Sequence, residues 1–192
     1  MNIAGHFDKV CFEQFKPAYD EFVVQLDKMG KLNNPEFPAD ALFNDITEKK
    51  MSAESIYEGI RLPARATAGS AGYDIYTPFE FNLEPDETIK IPTGIRVKIS
   101  EGWFLAIFPR SGLGFKYSLM LNNTVGIIDS DYYGSSNEGH IFVKLTNCNH
   151  EKRTVYLNQN DAFCQGIFLP FGITDDDRCN GIRNGGLGST ST

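Results

Sequence analysis

Asp129 closes the apolar run Val125-Gly126-Ile127-Ile128, and a rigid element can aim a carboxylate at such a position into a pocket while water still reaches it. The chemistry this suits is general-base catalysis, with the carboxylate taking a proton from water. Asp131 follows two residues later, then Tyr132 and Tyr133, flat rings able to floor a sugar or a base. The same Asp-Ser-Asp sequence also suits an ordinary turn whose side chains bond nearby amides.

Four further stretches carry chemistry-capable residues. Ala68-Gly69-Ser70-Ala71-Gly72-Tyr73-Asp74 delivers one carboxylate from a turn of small residues, a hard oxygen donor of the kind Mg²⁺ takes directly or through water. Pro109-Arg110-Ser111-Gly112-Leu113-Gly114 offers a guanidinium, a hydroxyl and glycine amides, a set suited to phosphate. It is not the Walker pattern, because Lys116 is followed by Tyr117 and no long helix-forming run comes after. Gln165 interrupts the apolar run Phe163 to Leu169, where an amide must face a partner or a pocket. Arg183 precedes Gly185-Gly186-Leu187-Gly188-Ser189-Thr190-Ser191-Thr192, a tail that could close over a polyphosphate or simply fray.

The elements that must position these residues change character near Ile60. Before it, Phe12, Phe15, Tyr19, Phe22, Val23, Leu26 and Met29 recur at spacings of three and four, which places them on one face of a helix ending near Gly30. Pro17 implies either a start near Lys16 or a kink, and Ser52 is placed to cap a short helix running to Gly59. After it come short runs rich in β-branched and aromatic residues: Ile89 to Ile91, Ile95 to Ile99, Trp103 to Phe108, Ile141 to Leu145, Thr154 to Leu157 and Phe163 to Leu169. Val125 to Ile128 reads as half of a hairpin. Punctuation by proline and glycine points to an all-β sandwich, jelly roll or barrel.

Composition narrows the function classes. The 192 residues carry a net charge of −7, which argues against a broad nucleic-acid face, and 41% hydrophobic residues suffice for a core. Scattered Cys11, Cys148, Cys164 and Cys179, with His6, His140 and His150, lack zinc-ligand spacing and read as reduced thiols and ordinary histidines. No apolar run has membrane-spanning length and the first residues lack signal-peptide character, so the expected location is cytoplasmic.

In this order the five stretches resemble the motifs of the trimeric dUTPases over Ile60 to Thr192. The resemblance implies an all-β fold, a jelly-roll-like distorted β-barrel with a helical N-terminal insertion, assembled as a homotrimer with each site between subunits. It divides the chain into residues 1–59 (first strand and helical segment), 60–180 (barrel) and 181–192 (a tail closing over a neighbour's site). It implies hydrolysis of dUTP to dUMP and pyrophosphate, which keeps uracil out of DNA and supplies dUMP for thymidylate synthesis. On that resemblance Asp129 is the base, and Mg²⁺ bound to the triphosphate is assisted through water by Asp74. Arg110, Ser111, Gly112, Gln165, Arg183, Ser189 and Thr190 hold phosphates, with Gly188 in the same tail. Asn123 and the backbone of Gly126, Ile127 and Ile128 read uracil, and Tyr132 lies beneath the deoxyribose; Asp131 is left structural.

There are departures. Leu187 stands where the family usually stacks an aromatic on uracil, Ser135 to Gly139 is inserted, and Phe12 to Gly59 separates a first strand within Asn2 to Val10 from the rest. Two rival functions follow from the same fold. A dCTP deaminase would need a glutamate where Lys144 stands. A dUTP-gated regulatory protein would present its free and bound tails differently to a protein partner, as some phage relatives are thought to do.

Overall fold

The computed structural model describes residues 3–31, 52–181, 183 and 185. The expected ligands Leu187, Gly188, Ser189 and Thr190 lie outside the described residues.

The apolar stripe at the N-terminus folds as α1, Phe12–Lys28, burying Phe15, Ala18, Tyr19, Phe22 and Leu26. Pro17 sits inside this helix rather than in its first turn. The N–H it lacks would have bonded the Glu13 carbonyl, and both residues are exposed, so water can serve that carbonyl instead. The short helix α2, Ala53–Gly59, is capped by the Ser52 hydroxyl accepting from the Ser55 N–H at 3.2 Å. No helix among the described residues is long and apolar enough to cross a membrane.

The remainder is mostly antiparallel β-sheet. The strands are β1 Gly5–Lys9, β2 Tyr73–Tyr76, β3 Phe81–Leu83, β4 Thr88–Pro92, β5 Ile95–Ile99, β6 Trp103–Pro109, β7 Leu119–Leu121, β8 Gly126–Ile128, β9 Phe142–Asn147, β10 Val155–Leu157 and β11 Ala162–Pro170. They pair as β1-β5, β3-β10, β2-β11-β6-β8 and β4-β9-β7. One cluster of buried apolar side chains joins all four sheets to α1 and α2. The run Val125 to Ile128 does form a strand, but its ladder partner is β6, whereas β7 across the turn pairs with β9. The hairpin expected there is therefore a turn linking two sheets.

Helix α1 closes the free edge of β4. Phe22 stacks on Phe79 with centroids 3.8 Å apart. The Gln25 amide donates to the Lys90 carbonyl at 3.1 Å and accepts from the Lys90 N–H at 2.9 Å, which satisfies the backbone of an edge strand. Buried Lys31, just beyond the helix, is held by Glu87 at 2.6 Å and Asn82 at 2.7 Å.

His140 lies wholly inside this assembly, between Phe15 and Phe142, its Nε2 accepting the Gly94 N–H at 2.9 Å. Burial, helped by the charge of Lys90, lowers its pKa to about 4 from the ordinary 6.5. The unfolded chain then binds the proton more tightly than the folded one. The stabilisation from keeping His140 neutral is complete above about pH 6.5 and is lost as pH falls towards 4, a loss on the order of 3 kcal/mol. Urea denaturation across this window should show a steep fall in stability, and His140→Gln should flatten it; parallel curves would contradict the assignment.

Candidate active site

Three clusters of expected site residues form, each on a different part of the sheet β2-β11-β6-β8. In the first, β11 runs between β2 and β6, so Gln165 stands in register with Asp74 on one side and Phe108 on the other. Arg110 follows β6, and its Nε lies 3.3 Å from Asp74 Oδ1, an ion pair in which the carboxylate is mostly shielded and the guanidinium half-exposed. The Gln165 amide lies so close to Gly72 that a Cβ there would stand 2.5 Å from its oxygen, which explains a glycine at that point. The stretch read as suited to phosphate folds as a short helix, α3, Ser111–Tyr117, with Arg110 as its N-cap. Ser111 and Gly112 are exposed at its start, and their N–H groups precede the first intrahelical bond.

The second cluster is the turn between β7 and β8. Asn123 is exposed, Thr124 has φ +64, and the Val125 N–H donates back to the Asn123 carbonyl at 2.6 Å. Gly126 lets β8 approach β6, since a Cβ there would lie 3.2 Å from the Ile107 side chain. A cavity of about 320 Å³ opens here, lined by Asn123, Gly126, Ile127 and Ile128 together with Phe142 and Lys144 of β9. Phe142 was not singled out at the sequence level, and Lys144 only as the residue standing where a deaminase needs a glutamate. The signal was present in the alternation of β9, where Val143 and Leu145 are buried and Lys144 is exposed.

The third cluster follows β8. Asp129 leaves the strand and leads a single 3₁₀ turn, Ser130–Gly134. Its carboxylate is about half exposed and accepts a hydrogen bond from Arg183 at 2.5 Å. Arg183 Nε also faces Asp131 at 2.9 Å as an ion pair, and its guanidinium lies 5.6 Å above the Tyr132 ring. Tyr132 itself is buried. Its hydroxyl donates to the His140 carbonyl and accepts from the Asn137 amide, both at 2.8 Å, and burial raises its pKa.

The chain does not bring the first and third clusters together. Ile128 is in register with Leu105 and Cys164 with Pro109, so Asp129 leaves one end of β6 and Arg110 the other. The six residue steps from Phe104 to Arg110 correspond to about 20 Å of strand.

The sequence matches the dUTPase family model over residues 58–192, a range containing all five stretches. The chain belongs to the dUTPase family. Among its relatives is the deoxyuridine 5'-triphosphate nucleotidohydrolase of Lactococcus lactis, 39% identical over 135 residues, covering 69% of this chain and 89% of that one. The enzyme of the same name from Hahella chejuensis is 37% identical over 160 residues, covering 79% and 97%. The crystal structure of dUTPase from Streptococcus mutans superimposes with a TM-score of 0.54 at 38% identity, covering 62% of this chain and 91% of that chain. The dUTPase of phage phi11 of S. aureus shares the fold at 24% identity, with a TM-score of 0.52. Strand β1 and helix α1 precede the family match.

The donor set for the divalent ion implied by the dUTPase resemblance is sparse. Among the described residues no group of three or more His, Cys, Asp or Glu side chains is placed to hold a metal. Asp74 offers a single hard carboxylate beside Arg110. That suits Mg²⁺, which dehydrates reluctantly and is commonly held by one or two carboxylates, several waters and the phosphates of its substrate.

Proposed function

We propose that this chain hydrolyses dUTP between the α- and β-phosphates, releasing dUMP and pyrophosphate. It thereby keeps uracil out of DNA and supplies dUMP for thymidylate synthesis. The observation that carries this reading is the dUTPase family match, which spans the base-type carboxylate Asp129, the phosphate-type group around Arg110 and the tail.

On this reading the strands wrap as a jelly-roll-like distorted barrel, three copies assemble in the cytoplasm, and each site is shared. The separation of Asp129 from Arg110 by about 20 Å of strand supports sharing, because a water held by Asp129 must reach the α-phosphorus of the same nucleotide that Arg110 grips. Arg110, Ser111, Gly112 and Gln165 of one subunit hold the phosphates. Asn123 and the backbone of Gly126, Ile127 and Ile128 of another read the acceptor, donor, acceptor edge of uracil. Tyr132 offers its ring face beneath the deoxyribose. Asp129 takes one proton from water as the water oxygen bonds to the α-phosphorus, and the α–β bridging oxygen leaves with pyrophosphate. Proton transfer of this kind is worth about 10² to 10⁴ in rate. Asp74 would assist, through water, in holding Mg²⁺ carried by the triphosphate, and the ion would supply charge neutralisation there. Arg183 pairs here with Asp129 and Asp131 of its own chain. Closure of the tail over a neighbouring site, with Ser189, Thr190, Gly188 and Leu187, would transfer that guanidinium to phosphate and free the Asp129 carboxylate.

Cytosine presents a donor where the uracil edge needs an acceptor, and Lys144, exposed on β9 opposite Lys90, cannot act as a deaminase base. Incubating the pure protein with dUTP, dCTP, TTP and UTP and assaying pyrophosphate and ammonia should give pyrophosphate from dUTP alone. Ammonia from dCTP, or no reaction with dUTP, would refute the activity. Equal use of UTP would refute the role of Tyr132.

A further inference from the structure

The inserted stretch 135–139 is built against Tyr132. The Tyr132 hydroxyl already donates to the His140 carbonyl, and the second contact, from the Asn137 amide, comes from the insertion. Asn137 is itself fixed, because its oxygen accepts from the Ser135 hydroxyl at 2.7 Å and from the Gly139 N–H at 3.2 Å. Gly139 has φ +73, and a Cβ there would stand 2.8 Å from the Tyr132 carbonyl oxygen and from Tyr133 Cα, so the loop returns directly onto the tyrosine backbone. Behind it, the Glu138 carboxylate accepts the Cys11 N–H at 2.9 Å and faces Arg96 at 3.6 Å, which ties the loop to the start of α1. Arg96 in turn covers the Tyr133 ring at 4.3 Å, and the Tyr133 hydroxyl donates to Asp8 at 3.1 Å.

We propose that residues 135–139 form a brace that sets the height of the Tyr132 ring, and that Asn137 is a positioning residue deciding how strongly a 2′-hydroxyl is refused. This rests on Tyr132 lying beneath the deoxyribose. The position of Arg183 above the ring shows that a ring face looks towards Asp129, while the hydroxyl end points away to His140 and Asn137. Exclusion of one oxygen atom by a ring is steric and works only if the ring cannot retreat. A single bond to the His140 carbonyl fixes the hydroxyl in one direction only; a second bond from another segment fixes it in a second. On that reading the ring contacts the sugar and takes no part in proton transfer, so loosening it should affect sugar choice more than turnover of dUTP.

The test compares kcat/KM for dUTP and UTP in the full-length protein, Asn137→Ala, Tyr132→Phe and the double variant. Asn137→Ala should lower the dUTP/UTP ratio about tenfold, the effect of roughly one buried hydrogen bond, with kcat for dUTP changing less than the ratio. Tyr132→Phe keeps the ring but removes both bonds of the hydroxyl, so it should lower the ratio at least as much, and the double variant should fall no further than Tyr132→Phe alone. An unchanged ratio in Tyr132→Phe overturns the proposal even if Asn137→Ala does not fold, as do additive losses in the double variant. If the unmutated protein uses UTP as well as dUTP, the placement of Tyr132 under the sugar fails first and the brace with it.

Discussion

Asp129→Asn is expected to lower dUTP turnover by about 10² or more while the protein still binds the nucleotide. Asparagine keeps the shape of the side chain but cannot hold the proton of the attacking water. The structure adds a second consequence. Asp129 is the closest partner of Arg183, so removing its charge loosens the pair at 2.5 Å and leaves the guanidinium freer to meet phosphate. Affinity for a non-hydrolysable dUTP analogue, measured by calorimetry, should therefore hold or rise as kcat collapses. Near-normal kcat would remove Asp129 from the role of base.

Mixing two inactive proteins should restore activity. Asp129→Asn and Arg110→Ala are each expected to be nearly inactive alone. If one site draws Arg110 from one subunit and Asp129 from another, chains denatured together at equal amounts and refolded form some sites with both residues intact. Random assortment gives a fraction of one half times one half, so about a quarter of the unmutated activity. A site built within a single chain would recover nothing, since every chain lacks one of the two groups. The effect is recovery from a background of almost zero, and the separation of the two residues along β6 is what motivates it.

Much of this was legible in the residue order. The stripe from Phe12 to Leu26 announced α1, and the alternation from Ile95 to Ile99 announced β5, because periodicity reports which face is buried. Periodicity does not report ladder partners. The strand before Asp129 was visible, yet its pairing with β6 rather than β7 depends on contacts distant in sequence. Strands β2, β3 and β7, three or four residues long, show too few alternations to recognise, whereas the equally short β8 and β10 were marked by their β-branched and apolar runs. Helix α3 was hidden by Gly112 and Gly114, poor helix formers held in a single short helix between two strands. In the site, the kinds of residue were readable but not their company. Asp131, read as structural, shares Arg183 with Asp129, and Asn137 reaches Tyr132 only because a loop with two left-handed residues, Glu138 and Gly139, turns back on itself.

The contact of Gln25 with Lys90 bears on how this protein would fail. One side-chain amide there imitates a peptide unit of a neighbouring strand, offering both its donor and its acceptor to β4. The sheet β4-β9-β7 is thus terminated by a helix instead of by a further strand. If α1 detached, Lys90 would regain an open donor and acceptor on a strand whose buried residues include Ile89 and Ile91. Such an edge invites the β-strand of another molecule. Loss of the helix would open that edge to cross-chain strand addition, so α1 covers a strand edge as well as forming part of the core.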